Sequence, residues 1–352
     1  MKVLIVGPGK SPIIKRLVHN LAQKGVEVKL ASFDASGLEN CYDLGQLKGL
    51  KSYFNFLKLN RIIGAFQPDV VHAHVINHYG IMACFTSKPV LLAAWGSDVL
   101  LSNKSGHFFK DLIYTVINNL VLKRMKNIHT SGSNVTKALV NDYSFDDKNI
   151  STFYWGFPVV PNCTEIRVES ILENELGIKG SGFIVFNRGL GELYNPEAVA
   201  IIINSLLSKG INKDIIVFKG FANNVELNKF KQLVSDEVII VDRLLSDEEL
   251  HSIYSRTDIH FSIPKSDALG GGVIEPALLG SFPILSDLEQ YREYTASNLG
   301  MIYTEDTHDE ILEQISLGKL TNSKKNHPEK KYTSESVVLK FIDLYESLLS
   351  KC

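Results

Sequence analysis

Little cysteine is present, and what there is shows no order. Cys41, Cys84, Cys163 and Cys352 are scattered, with no CxxC pair and no metal-type spacing. Reduced thiols in a cytoplasmic protein are the plain reading. A charge imbalance is missing too. The 37 basic and 39 acidic residues nearly cancel to −2, so no basic field points to nucleic acid. No apolar run approaches the roughly 20 residues that span a bilayer. The richest stretch, Phe108 to Met125, is broken by Lys110, Asp111, Asn118, Asn119, Lys123 and Arg124. Met1-Lys2 runs straight into Val3–Val6 and a glycine turn, with no signal-peptide h-region, so a cytoplasmic location is expected. The first turn, Gly7-Pro8-Gly9-Lys10-Ser11-Pro12, is not GxGxxG. A dinucleotide-dependent oxidoreductase therefore has no support.

What is present is alternation. Short apolar runs (Val3–Val6, Val26–Ala31, Asp69–Ala73, Pro89–Ala94, Asn127–Thr130, Asn149–Phe153) are separated by helical patterns near 12–24, 48–66, 78–86, 107–125 and 133–142. A second series follows: Phe183–Phe186, Asp214–Phe218, Val238–Val241, Asp258–Phe261, Phe282–Leu285 and Met301–Tyr303. Such alternation implies βαβ units and parallel sheets, whose strands are buried on both faces and so read as unbroken apolar runs. Ser246 with Glu249, and Thr307 with Glu310, read as capping boxes. The fold class is α/β, with two Rossmann-like doubly wound domains: 1–160 with a return helix at 334–352, and 166–330. Tyr154–Arg167, with Gly156, Pro158 and Pro161, is the linker. Two such domains place a ligand in a cleft where strand C-termini converge.

The most informative segment runs from Ser262 to Gly280. It leaves one strand, passes Asp267, and reaches Gly270-Gly271-Gly272-Val273-Ile274-Glu275 at a helix start. Consecutive glycines admit a close ligand and positive φ. The free amides of the following helix suit a diphosphate. Glu275, one turn in, can accept hydrogen bonds from ribose hydroxyls. A glycine-rich connector before a capped helix would explain the glycines alone equally well.

The flanking residues add a resemblance. Asp267-x7-Glu275, the small-residue helix to Gly280, and the strand Phe282-Pro-Ile-Leu resemble the family 4 retaining glycosyltransferases of GT-B fold. So do Val238–Ile259 upstream and, in order, Ser11–Arg16, Asp69–His74, Tyr79-Gly80, Trp95–Asp98 and Tyr154–Gly156. The resemblance implies a hexosyl-type transferase using a nucleotide-diphosphate sugar, retaining, without metal or cofactor. Glu275 would bind the donor ribose, Asp267 a donor-sugar hydroxyl, and the amides of Gly271, Gly272 and Val273 the diphosphate, with Gly270 opening the turn. Asp267 stands where the family usually has Glu, and Pro276 where it usually has Ala.

A departing diphosphate needs positive charge. Arg188, at the end of the strand Phe183–Phe186, matches the family's phosphate-binding arginine, and its planar fork suits phosphate oxygens. The lysine expected five residues on is Leu193; Lys219 is one candidate substitute. In the first domain, His72, His74 and His78 lack acidic partners nearby, and no metal site is expected. His74 either faces the cleft or is a buried structural histidine. Trp95 replaces a histidine common in relatives, so that role does not carry over. Asp98 is a candidate for acceptor hydroxyls or a helix N-cap. The acceptor would be a glycan or lipid-linked glycan of surface polysaccharide synthesis. Lys48, Lys51, Lys58 and Arg61, interleaved with aromatics, suggest peripheral membrane contact or an ordinary packed helix. The rivals are a nucleotide-sugar epimerase of the same fold and a catalytically silent partner subunit.

Overall fold

The alternating pattern becomes two parallel sheets. The computed structural model describes residues 1–46, 55–100, 108–157, 172–296, 299–320 and 332–350. They fall into two units, Met1–Gly156 with Lys331–Cys352, and Phe157–Lys330.

The first unit contains β1 (Lys2–Val6), β2 (Glu27–Ser32), β3 (Cys41–Asp43), β4 (Val70–His74), β5 (Val90–Ala94), β6 (Ile128–Thr130) and β7 (Ile150–Thr152). Their order is β3-β2-β1-β4-β5-β6-β7, and the pairings are parallel. Val3 to Val6 are fully buried, as expected for a strand covered on both faces. The helices are α1 (Pro12–Gln23), α2 (Phe56–Phe66), α3 (Phe108–Arg124) and α4 (Ser133–Tyr143). Pro12 opens α1, where its missing N–H has no intrahelical acceptor to lose.

The second unit contains β8 (Phe183–Phe186), β9 (Ile215–Phe218), β10 (Ile239–Val241), β11 (Thr257–Ser262), β12 (Phe282–Ser286) and β13 (Met301–Tyr303). The order is β10-β9-β8-β11-β12-β13. The helices are α5 (Pro196–Ser208), α6 (Asn224–Lys231), α7 (Asp247–Ser255), α8 (Gly271–Leu278), α9 (Glu289–Thr295) and α10 (His308–Ser316). Ile184 and Phe186 enter one core while Phe183 and Val185 enter another. This is the alternation of a strand sandwiched between two helical layers. The last helix, α11 (Ser334–Ser350), belongs to the first unit and packs on α1. Gly156 lets it close in: a Cβ there would lie 2.5 Å from Ser334 Cα.

Three local expectations change. The box at Ser246 and Glu249 forms, but Thr307 does not cap α10. Its hydroxyl bonds the Ile302 carbonyl and the Thr304 amide instead, tying down the turn after β13. The helical stretch near 78–86 is a π-turn, Ile76–Gly80, followed by one short turn, Ile81–Ala83. The edge strand β3 had no apolar run to announce it. Lys48 and Lys51, most of the linker, and Lys-rich 321–331 lie outside the described residues.

Candidate functional site

In both sheets the winding reverses beside the first strand, between β1 and β4 and between β8 and β11. Loops leaving such a reversal are where open α/β sheets bind ligands. In the second unit, Phe186 pairs with Phe261 and their rings stack 4.6 Å apart. The exits of β8 and β11 are thereby fixed side by side. The first carries Asn187-Arg188-Gly189, the second the turn from Asp267 to α8.

Arg188 and Asp267 meet there. Arg188 Nη2 donates to Asp267 Oδ1 at 2.8 Å, and the guanidinium lies 5.4 Å over the Tyr194 ring. The other carboxylate oxygen accepts from Tyr291 Oη at 2.6 Å and from the Gly270 amide at 3.1 Å. Gln290 holds the Asp267 carbonyl. The two side chains are only 16% and 12% exposed, so the pair is sheltered yet reachable. Burial pushes the Asp267 carboxyl up, but Arg188, Tyr291 and the Gly270 amide outweigh it and hold it below its ordinary value. Burial works against the Arg188 charge, and Asp267 more than restores it. Both oxygens of Asp267 are thus engaged by the protein. Beside the expected contact with a sugar hydroxyl, Asp267 thus has a role in aiming Arg188.

The glycines serve a different purpose from the one expected. Gly270 has φ −88°, and none of the three adopts positive φ. The left-handed residue is Leu269, at φ 58° and buried, a strained conformation of the kind stored at functional sites. What the glycines supply is room. A Cβ on Gly272 would stand 2.6 Å from Arg188 Nη1 and 2.8 Å from its Cδ. Arg188 therefore crosses the face of the first helical turn, where any side chain would block it. The amides need a correction as well. Val273 N–H donates to the Gly270 carbonyl at 3.1 Å, so it is not available to a phosphate. Gly271 and Gly272, the first two residues of α8, have no intrahelical acceptor for theirs.

Glu275 is half-buried in the same turn, its Oε1 3.0 Å from where a Gly271 Cβ would be. Burial, and then the nearby Glu275, raise the Tyr254 phenol. Asn187 Nδ2 donates to the Gly272 carbonyl at 2.7 Å and to Tyr254 Oη at 3.3 Å. Gly189, at φ 91°, allows the Lys219 loop to close on it, and Leu190 N–H donates to the Lys219 carbonyl. Lys219 Nζ reaches Asn224 at 3.4 Å. Leu193 supplies no cation, but its carbonyl accepts from the Lys265 amide at 2.8 Å. A lysine is thus brought to this segment from the other loop, with Nζ 3.7 Å from Glu192. Asn187, Tyr291, Tyr254 and Lys265 were not flagged by the sequence. Tyr254 and Tyr291 arrive from other helices, whereas Asn187 and Lys265 lie in the two loops themselves and carry no motif of their own.

The first unit's candidates are closed in. His74 is fully buried; Trp95 Nε1 donates to its Nδ1 at 3.2 Å and Trp155 stacks on it at 5.7 Å. His72 is also buried, with Nδ1 2.7 Å from Tyr345 Oη. A ring with no exposed surface does not touch a substrate, and the buried reading of His74 is the one its surroundings fit. Asp98 is 4% exposed. Its carboxylate accepts from the amides of Ile76, Trp95 and Gly96, each at 2.9 Å, which leaves it no free face for acceptor hydroxyls. In the turn after β1, Asp34 accepts from the amides of Gly9 and Lys10 at 2.8 and 3.2 Å. A carboxylate of the chain itself fills that turn. Among the described residues no three His, Cys, Asp or Glu side chains are grouped to hold a metal ion.

Residues 2–131 match the family model Glycosyl transferase 4-like. No curated protein sequence matches the chain. Solved structures do, over their full length. A glycosyltransferase from Rickettsia africae ESF-5 superposes with a TM-score of 0.74 at 14% identity, covering 100% of this chain and 99% of the other. Anabaena HepE, solved with UDP-glucose, gives 0.72 at 12%, covering 100% of both. The UDP-GlcNAc 2-epimerase of Neisseria meningitidis, bound to UDP-GlcNAc, gives 0.63 at 15%, covering 99% and 100%. With the two parallel sheets, these likenesses show a GT-B fold of two Rossmann-like domains. The amino-terminal part is similar to the glycosyltransferase 4-like family.

Proposed function

We propose that this protein transfers a hexosyl-type sugar from a nucleotide-diphosphate donor to a glycan or lipid-linked glycan, with retention and without metal, in surface polysaccharide or glycoconjugate synthesis. The observation that carries the proposal is Arg188, fixed by Asp267 across the glycines that open α8. A cation there lies against the first turn of a helix whose leading amides have no intrahelical acceptor, the two kinds of group that suit a phosphate. Glu275 would take the ribose hydroxyls, and Lys265, or else Lys219, the second phosphate charge. The bound nucleotide sugars of Anabaena HepE and the Neisseria epimerase support a donor of this class.

The chemistry asks for no protein nucleophile. The acceptor hydroxyl attacks the anomeric carbon on the face the diphosphate is leaving. The C–O bond to phosphate breaks, the acceptor proton passes to the departing phosphate oxygen, and a nucleoside diphosphate is released. Arg188 and the amides of Gly271 and Gly272 stabilise the charge that develops, while Asp267 and Tyr291 keep Arg188 in place.

Arg188→Ala and Glu275→Ala test the site. Each should weaken the thermal stabilisation given by nucleoside diphosphates and lower kcat/KM by about a hundredfold or more, with the fold intact. Two variants near wild type at saturating and subsaturating donor would rule the assignment out. The epimerase likeness makes a second reading worth separating: an epimerase consumes donor with no acceptor present, whereas a transferase forms an acceptor-dependent product.

A further inference from the structure

Helix α3 is apolar on the wrong side. Its inner face buries Ile117, Val121 and Leu122, and Asn118 anchors it by donating to the Asp98 carbonyl at 2.9 Å. Yet Phe109, Leu112, Ile113, Val116 and Leu120 are exposed, Phe109 by 78% and Val116 by 59%. Their offsets of 3, 4, 7 and 11 from Phe109 draw one stripe along a helix. A helix apolar all round is ordinarily covered on both sides. No helix among the described residues is long and apolar enough to cross a membrane, so the stripe is not explained by a span.

The charge around the stripe has one sign. Among the described side chains of α3, the exposed polar ones are Asn119, Lys123 and Arg124. The helix's acid, Asp111, is half-buried and lies about 160–180° round from Phe109 and Leu120. At the cationic end the patch continues. Arg124 lies 4.9 Å over the Phe85 ring, and Phe85 packs 5.0 Å from Phe56 at the start of α2. Phe85 and Leu57, the residue after Phe56, are 40% and 59% exposed. Lys58 and Arg61, two of the four cations of the basic stretch, are exposed on α2; Lys58 leans on Asp43 at 3.4 Å.

We propose that this face, the outer side of α3 with Leu57 and Phe85, docks on an anionic lipid bilayer. The apolar stripe enters the headgroup boundary, and Lys123, Arg124 and Arg61 meet the lipid charges. A second copy of the chain fits the face less well. A 17-residue helix is about 25 Å long and 10 Å wide, on the order of 250 Å² of footprint, against about 800 Å² per partner in a stable complex. Self-pairing would also bring cations together with no acid on the stripe to answer them. The proposal is independent of the donor site, since it uses none of its residues.

The test is co-sedimentation of the full chain with vesicles of phosphatidylcholine alone and of equimolar phosphatidylcholine and phosphatidylglycerol. Binding to the anionic vesicles should exceed binding to the neutral ones by on the order of tenfold and fall as salt is raised. Leu112→Asp with Val116→Asp should abolish it. Lys123→Glu with Arg124→Glu should lower it by on the order of tenfold. Both variants change exposed positions and should keep the wild-type unfolding midpoint and its shift with nucleoside diphosphates. Wild-type protein that ignores anionic vesicles, or an aspartate variant that still binds them, overturns the proposal. Self-association in vesicle-free sedimentation velocity, lost in the aspartate variant, overturns it in favour of a second copy.

Discussion

The two sheets wind in the same sense, yet the reversal points hold opposite chemistry. Each places a bulky residue in the left-handed region after the strand beyond the reversal, Val75 at φ 70° following β4 and Leu269 at φ 58° following β11. Each ties its loop to a sheltered aspartate. Asp98 accepts three backbone amides and no cation, and burial raises its carboxyl above the ordinary value. Asp267 accepts Arg188, a tyrosine and one amide, and is lowered. In the first unit the turn's amides already hold Asp34, and the space beside β4 is filled with neutral rings. In the second, helix-terminal amides and a fixed arginine remain for an anion. One sheet has filled its reversal point with packed rings; the other has set a fixed arginine beside the first turn of a helix.

Acid should separate the two most widely. His72, His74 and His129 are fully buried, and His72 Nε2, His74 Nε2 and His129 Nδ1 find no hydrogen-bond partner. Burial lowers all three: His74 to about 3, His129 to about 4, and His72 well below its usual value. Folded, they stay neutral; unfolded, they take protons from about pH 6.5 downward. Stability present above that pH is therefore lost as pH falls, by about 2 kcal/mol each for His74 and His129 at pH 5, with His72 acting in the same direction. Asp98, with its raised pKa, opposes this as a single group. In the second unit His260 on β11 is buried and lowered to about 3 in the same way, one such group against three, while the Arg188–Asp267 pair stays ionised through the same window because its carboxyl is depressed. Hydrogen exchange at pH 7.5 and 5.0, corrected for intrinsic rates, should show β4 and β5 losing protection before β8 and β11. The reverse order would break the contrast.

A methyl group should have the next largest effect. Gly272→Ala puts a Cβ 2.6 Å from Arg188 Nη1, and the guanidinium must swing off Asp267 to admit it. Donor affinity should fall by about a hundredfold, approaching the loss of the arginine itself. The fold should hold, since alanine suits a helix better than glycine by about 1 kcal/mol. Gly270→Ala is the control, because its Cβ would meet the same atom at an ordinary 3.5 Å. Equal donor titrations for the two variants would remove Arg188 from the site.

Much of the fold was legible because parallel strands are apolar runs with sharp ends. Phe183–Phe186 and Met301–Tyr303 were read to the residue, while the edge strand Cys41–Asp43, half-exposed and polar at one end, left no such trace. The site was legible only where its residues share one segment. Asp267, the glycines and Glu275 could be read as a unit, and the order of the chain drew Arg188 to them. Their division of labour could not be read. That Asp267 aims Arg188, that Val273 closes the turn, and that glycine makes room for a side chain depend on distances across the sheet. The histidines misled for a related reason. Alternation put His72 and His74 at a strand end near a reversal point, but which rings cover that end depends on Trp95, Trp155 and the distant Tyr345.

The smallest effect should come from Asp98, and it sharpens the contrast by where it falls. Asp98→Asn can keep an oxygen facing the Trp95 and Gly96 amides, but its amide nitrogen then faces the Ile76 N–H. One buried donor loses its acceptor, at a cost of about 1–3 kcal/mol. Against that, a carboxylate whose ionisation burial disfavours is replaced by a neutral group, which offsets part of the cost. The net should be about 1–2 kcal/mol, a fall of about 2–8 °C in the first unit's unfolding midpoint. Nucleoside diphosphate binding should not change, because nothing Asp98 holds belongs to the Arg188 site. A residue that bound acceptor hydroxyls would behave in the opposite way. Turnover would drop by a hundredfold or more with the midpoint unmoved, and that result would return the first unit's reversal point to the chemistry.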